Sequence, residues 1–282
     1  MRALWFIIRP MSENGSENGG HYPIERREGE IERLHRQGAA MAPDCAIMLE
    51  KIGVTEGWRC LDLGCGPRGI TPLLSARVGA SGKVTGLDAD PVFVDYGRRN
   101  AAANTDFVQG DAYSAALPAG SFDLVHLRFV ASTAGEPQKL LREAVRLAKP
   151  GGIVALQEPD MATLNCYPAH PAWDALRAAL IGAFAAVGSN ISLGRELFTL
   201  ARAAGLGDVQ YRPFLIGVRS TDPIVDYLPS TVESLRGTVL GHRLMTESAL
   251  DAALAACRKH LADPGTVFTM YTVVQVWGRT PR

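Results

Sequence analysis

Five short apolar runs, at residues 58–63, 83–87, 106–109, 122–127 and 153–156, alternate with stretches of helical periodicity at 70–78, 91–103 and 137–148. Each run is bounded by Gly, Pro or Asp and has the length of a buried strand rather than of a helix. Strands separated by helices are joined by crossovers, which makes them parallel, and a parallel sheet needs both faces covered. The chain is therefore predicted to be α/β, with helices on both faces of a mainly parallel sheet. Its 282 residues, 47% of them hydrophobic, suffice for one such core with a small addition.

Downstream of residue 158 the texture changes. Residues 171–187 and 193–204 read as Ala- and Leu-rich helices, the second closed by Gly205 and Gly207. Residues 209–218 read as one long strand, and Thr221-Asp222-Pro223 as a cap and the start of a helix. Leu250, Ala253, Leu254, Cys257 and Leu261 keep helical spacing, and 267–277 closes the chain as a strand. Upstream, 25–41 reads as an amphipathic helix of mixed charge, with Pro43 starting a second helix through 51. The expected organisation is a flexible polar tail at 1–20, N-terminal cap or lid helices at 21–52, and a core at 53–282 with a small helical cap inserted near 221–246. Met11 is an alternative start.

Lys and Arg number 29 against 29 Asp and Glu, so the chain has no net field to gather phosphate backbone or anionic lipid, and no nucleic-acid partner is expected. The apolar run at 3–8 is too short for a signal core or a membrane span and ends at Arg9-Pro10; no export is expected. The same run leaves a homodimer contact open. Five cysteines without a C-x-x-C pair argue against a disulfide framework and fit a reducing cytoplasm. The histidines lack metal-ligand spacing, so no metal is expected.

Gly64-Cys65-Gly66-Pro67-Arg68-Gly69 falls between the first strand and a helix. Its glycines let backbone approach a ligand closely, and the helix start adds partial positive charge. Asp88 ends the second strand nineteen residues past Gly69, where a carboxylate can accept both hydroxyls of a ribose. The alternative for Asp88 is a helix cap ahead of Pro91. Asp111 follows the third strand, placed to accept from the exocyclic amine of adenine while Ala112 donates its N–H. Adenine and ribose fit a dinucleotide or S-adenosylmethionine, and the two differ at the glycine loop. Asp62, two residues before the first glycine, suits the ammonium of a methionyl tail and would repel a pyrophosphate. Pro67 removes an N–H that a phosphate would use. S-Adenosylmethionine is the expected cofactor.

The ordered set 61–69 (Leu-Asp-Leu-Gly-Cys-Gly-Pro-Arg-Gly), Gly86-Leu87-Asp88, Gly110-Asp111-Ala112, Phe122-Asp123-Leu124-Val125 and 147–152 (Leu-Ala-Lys-Pro-Gly-Gly) resembles the successive motifs of class I S-adenosylmethionine-dependent methyltransferases. Within them it looks most like the small-molecule branch related to ubiquinone and menaquinone biosynthesis, over roughly residues 40–280. The resemblance implies a Rossmann-like, seven-stranded, mostly parallel sheet whose last strand, here 267–277, inserts antiparallel. It implies Asp62, Gly64, Gly66, Asp88, Asp111 and Ala112 around the cofactor, with Cys65 and Ala89 beside them in the same motifs.

After the fourth strand this sequence departs from the family, which often carries paired histidines there; residues 125–132 hold only His126, then Arg128. These two are expected on the same side of the strand exit with Glu158 nearby, as the acceptor-side residues. His126 reads as acceptor contact or base, or as a structural histidine. Arg128 reads as a partner for an acidic acceptor, for the cofactor's carboxylate, or for Glu158. His21, Tyr22, Tyr167, His170, Tyr227 and His242 are further candidates for the acceptor. The expected activity is methyl transfer to the O, N or C atom of a small molecule. A nicotinamide-dependent oxidoreductase and a non-catalytic cofactor-binding relative are the alternatives.

Overall fold

The computed structural model describes residues 30–282. The tail at 1–20, His21 and Tyr22 therefore lie outside the described residues. From the N-terminal side run α1 (Glu30–Ile52), β1 (Arg59–Leu63), α2 (Thr71–Val78), β2 (Lys83–Asp88), α3 (Pro91–Arg99), β3 (Thr105–Gln109), β4 (Phe122–Arg128), α4 (Ala131–Ala134), α5 (Pro137–Leu147) and β5 (Ala148–Asp160). There follow β6 (Asn165–Tyr167), α6 (Pro171–Ala186), α7 (Leu197–Ala203), β7 (Gly207–Phe214), β8 (Gly217–Arg219), α8 (Tyr227–Ser234), α9 (Arg236–Gly241), α10 (Glu247–Leu261), β9 (Val267–Thr269) and β10 (Thr272–Arg279).

Seven strands form one sheet in the order β3-β2-β1-β4-β5-β10-β7. The first five are parallel, and β10 runs antiparallel to both β5 and β7. The expected architecture thus stands, with the final strand inserted antiparallel. Strand alternation separates two cores. Cys60, Leu124, Ala155 and Val273 face one side, under α1, α2, α6, α8 and α10. Leu61, Val125, Leu156 and Val274 face the other, under α5 and α7. On α5 the residues Leu140, Leu141, Ala144 and Leu147 recur on one face and are all buried; each leucine contributes roughly 2 kcal/mol.

Several boundaries differ from the sequence reading. Pro43 starts no second helix; it sits inside α1. Both Pro43 and Ala39 are exposed, so the carbonyl deprived of its amide partner is open to water. Residues 209–218 and 267–277 are not single strands. Each leaves the large sheet at a bend, at 215–216 and 270–271, and continues in a three-stranded sheet of order β6-β9-β8. The two bends lie side by side, joined by the Met270 N–H to the Ile216 carbonyl at 2.9 Å, and Gly217 resumes pairing opposite Thr269. Pro223 starts no helix either: Asp222 turns back to accept from the Arg219 N–H at 2.7 Å, and α8 begins at Tyr227.

Among the described residues no helix is long and apolar enough to cross a membrane. All five cysteines are buried and free of disulfides.

Candidate active site

The carboxyl ends of β3, β2, β1 and β4 lie side by side, and chain order reverses between β1 and β4, where a parallel sheet opens a crevice. The glycine loop spans that crevice. Gly64 has φ +76°, and a Cβ there would stand 2.5 Å from Val130 Cγ2; Gly69 has φ +51°, and a Cβ there would stand 2.0 Å from Asp62 Oδ2. Both positions require glycine. The loop's N–H groups are largely spent within the protein: Gly64 and Cys65 donate to the Leu87 carbonyl at 2.7 and 2.9 Å. Gly66 donates to Asp88 Oδ2 at 2.7 Å and Ile70 to Asp62 Oδ2 at 3.0 Å. Pro67 has none to give. Such a loop is no cradle for a pyrophosphate.

Asp88 is held by Gly66 on one oxygen and by the Asp90 N–H on the other, at 2.9 Å. The cap of α3 is Asp90, which accepts from Val92 at 2.8 Å, so Asp88 is not the helix cap. Burial raises the Asp88 carboxyl above its ordinary value, against the lowering by those two N–H groups. A carboxylate offers about four lone-pair sites, so two remain for a diol. Ala89 beside it is exposed. Asp111, also exposed, accepts from the Tyr113 N–H at 2.8 Å and the Ser114 hydroxyl at 3.2 Å, next to half-buried Ala112. Cys65 is buried, which raises its thiol well above the usual range, and its Sγ is within 3.2 Å of the Gly66 carbonyl.

Asp62 lies beneath the loop, 2% exposed, with His126 Nδ1 at 2.7 Å from its second oxygen. His126 is fully buried, and Gln157 Nε2 stands 2.8 Å from its Nε2. Arg128 is half-buried and reaches Cys45 Sγ at 3.6 Å, a thiol that also contacts Gln157. It does not pair with Glu158. That side chain is fully buried and accepts from the N–H groups of Val130, Ala131 and Ser132 at 3.0, 2.8 and 3.1 Å. Glu158 thus pins the turn that carries Val130 against Gly64. Between them Phe129 takes φ +58°, and its ring lies 6.3 Å from Tyr271, which lies 6.1 Å from Tyr227. Of the other cap candidates, Tyr167 is 73% exposed on the small sheet and His170 caps α6.

Burial raises Glu158 to about 7, against the hydrogen bonds it accepts from the 130–132 turn. Between the unfolded value near 4.5 and that folded value, the native chain keeps a proton that the unfolded chain releases. Stability from this group is full below about 4.5 and is lost as pH rises to about 7, by roughly 3 kcal/mol. Urea unfolding at pH 5 and pH 7.5 is expected to show this fall in the wild type and not in Glu158→Gln. Equal pH dependence in both proteins would contradict it.

Sequence reading missed the side chains that lead across the sheet to Asp62: Asp44, Cys45, Gln157, Arg212 and Gln275. The available signal was a Gln that closes one apolar run, at 157, and a lone Gln inside another, at 275.

Residues 61–156 match a family model described as a methyltransferase domain. The chain is 29% identical to an uncharacterized 37.1 kDa protein in transposon Tn4556 of Streptomyces fradiae, over 95% of this chain and 84% of that one. It is 34% identical to the demethylmenaquinone methyltransferase of Staphylococcus aureus (strain MRSA252), over 43% of this chain and 51% of the relative. It thus spans about half the length of that relative. A solved phosphoethanolamine N-methyltransferase 2 of Haemonchus contortus, in complex with phosphomonomethylethanolamine and S-adenosylhomocysteine, shares the fold with a TM-score of 0.52 and 17% identity, over 85% of this chain and 53% of that one.

Proposed function

We propose that the chain is a class I S-adenosylmethionine-dependent methyltransferase, as the methyltransferase-domain match at 61–156 and the 34% identity to a demethylmenaquinone methyltransferase support, and that it methylates an O, N or C atom of a small molecule. The observation that carries this reading is the glycine loop itself. Most of its N–H groups are turned inward and a buried carboxylate, Asp62, underlies it, which favours the ammonium of an amino-acid tail above the loop and disfavours a phosphate. When bound, S-adenosylmethionine supplies a sulfonium methyl that an acceptor lone pair takes by in-line displacement, leaving S-adenosylhomocysteine.

The chain's own residues align and shield. Asp88 accepts the ribose hydroxyls, Asp111 and Ala112 take the adenine edge, and Gly64, Cys65, Gly66 and Ala89 give backbone close approach. Phe129 and Tyr271 exclude water on the acceptor side. His126 and Glu158, both fully buried and already hydrogen-bonded, act by holding the loop and the 130–132 turn. Arg128 is then the acceptor-side group: among the described residues its donors meet one weak partner, the Cys45 thiol, and they suit an acceptor with an acidic group. The small-molecule names of the relatives support the acceptor class.

Incubation of the full chain with trideuteromethyl-labelled S-adenosylmethionine and a metabolite extract tests this by mass spectrometry. Label is expected in small molecules, and Arg128→Met is expected to slow that transfer while leaving affinity for S-adenosylhomocysteine within about threefold. Label confined to protein or nucleic acid would overturn the acceptor class.

A further inference from the structure

Polar side chains form one row across the large sheet, from its edge strand to the glycine loop. Arg212 on β7, Gln275 on β10, Gln157 on β5, His126 on β4 and Asp62 on β1 stand on five adjacent strands. On the last four strands, the residue two positions earlier is an apolar member of the same core: Val273, Ala155, Leu124 and Cys60. Each member of the row hands a hydrogen bond to the next. Arg212 Nη1 donates to Gln275 Oε1 at 2.7 Å, Gln275 Nε2 to Gln157 Oε1 at 2.8 Å, Gln157 Nε2 to His126 Nε2 at 2.8 Å, and His126 Nδ1 to Asp62 Oδ1 at 2.7 Å.

The direction of the row is fixed by its ends. A guanidinium only donates, so Gln275 turns its oxygen toward Arg212. The Gln275 nitrogen then faces Gln157 Oε1 and the Asp44 carbonyl, the latter at 3.1 Å, and both only accept. Gln157 must therefore offer its nitrogen to the imidazole, whose hydrogen resides on Nδ1 and is donated to Asp62. His126, Gln157 and Gln275 are 0% exposed, so a reversed amide would leave buried groups unpaired with no water to meet them. At about 4.8 Å per strand, the row reaches roughly 19 Å from the sheet's edge to the loop.

The same row seats α1. Arg212 Nη2 also donates to Asp44 Oδ1 at 2.5 Å, and Gln157 contacts Cys45. Further up that helix, Leu34 Cδ1 lies 4.0 Å from where a Cβ of Gly66 would stand, so α1 roofs the loop that Asp62 underlies.

We propose that Arg212, Gln275, Gln157 and His126 are positioning residues that lock the floor and the roof of the cofactor site into one hydrogen-bonded unit. The proposal rests on the reading of the loop as an S-adenosylmethionine site and adds to it where the cofactor's fit is set. Because Asp62 and Gly69 underlie the methionyl tail, while Asp88 and Asp111 hold the adenosine end, the row governs the tail alone.

Long-range ¹⁵N NMR of the full chain, with no ligand added, is expected to show His126 protonated at Nδ1 and bare at Nε2. The opposite tautomer overturns the row. Calorimetry with S-adenosylhomocysteine and with 5′-methylthioadenosine, which lacks the amino-acid tail, reads its effect. Arg212→Met is expected to weaken S-adenosylhomocysteine at least about tenfold and 5′-methylthioadenosine less than about threefold, although sites this distant normally act independently. Arg212→Lys, which keeps a donor, is expected to restore most of the loss. No loss for S-adenosylhomocysteine, or equal loss for both ligands, contradicts the proposal. Should Arg212→Met fail to fold by circular dichroism, Gln275→Glu, which cannot donate to Gln157, carries the same expectations. A wild type that binds neither ligand fails the cofactor reading instead, and the tautomer still decides the row.

Discussion

Asp88→Ala is expected to weaken S-adenosylhomocysteine binding at least about a hundredfold while the protein stays folded. The two hydrogen bonds its carboxylate offers a ribose are charge-assisted, at roughly 1.5–3 kcal/mol each, and about 1.4 kcal/mol is already tenfold. Its present partners, the N–H groups of Gly66 and Asp90, lose an acceptor as well, which loosens the loop. Asp90→Ala separates binding from capping. It removes the cap of α3 at a cost of about 1 kcal/mol and should leave affinity nearly unchanged. Calorimetry on the two variants decides between the roles: equal, small effects on affinity would make Asp88 a structural residue.

The second large effect is expected from Gly69→Ala. A methyl there would meet Asp62 Oδ2 at 2.0 Å and the Cys65 carbonyl at 2.7 Å, at φ +51°. Neither neighbour can yield: Asp62 is fixed by His126 and the Ile70 N–H, and the Cys65 carbonyl is backbone. The loop must therefore move, and affinity for S-adenosylhomocysteine should fall by more than about a hundredfold, some 3 kcal/mol or more. Gly53 has φ +80° with nothing within 4 Å of a Cβ. Gly53→Ala carries only the backbone penalty of about 1–2 kcal/mol in stability, and its affinity should match the wild type. Indistinguishable affinities in the two variants would show that the clash at Gly69 does not shape the site.

The sheet was legible because strands buried on both faces leave compact apolar runs, and the runs at 58–63 and 122–127 became β1 and β4 nearly as read. The positions of Asp88, at the end of β2, and of Asp111, two residues past β3, were legible from the spacing of loop, strand and turn. The bends at 215–216 and 270–271 were not, since apolar alternation continues through them while the partner strand changes. Pro43 misled because exposure of the carbonyl four residues earlier is a tertiary fact. His126 was read as an acceptor contact or base, or as a structural histidine, because its strand ends there; that β1 and β5 flank it and bury it depends on strand order. Gln157, Gln275 and Arg212 became a unit only through register between strands far apart in sequence.

The central claim is that the glycine loop with Asp62 beneath it and Asp88 beside it holds S-adenosylmethionine. Calorimetric titration of the wild-type chain with S-adenosylhomocysteine and, separately, with NAD tests it most directly. The predicted result is saturable one-to-one binding of S-adenosylhomocysteine, at micromolar Kd or tighter, about −8 kcal/mol, with no saturable heat from NAD. Saturable binding of NAD, or none of S-adenosylhomocysteine, would contradict it.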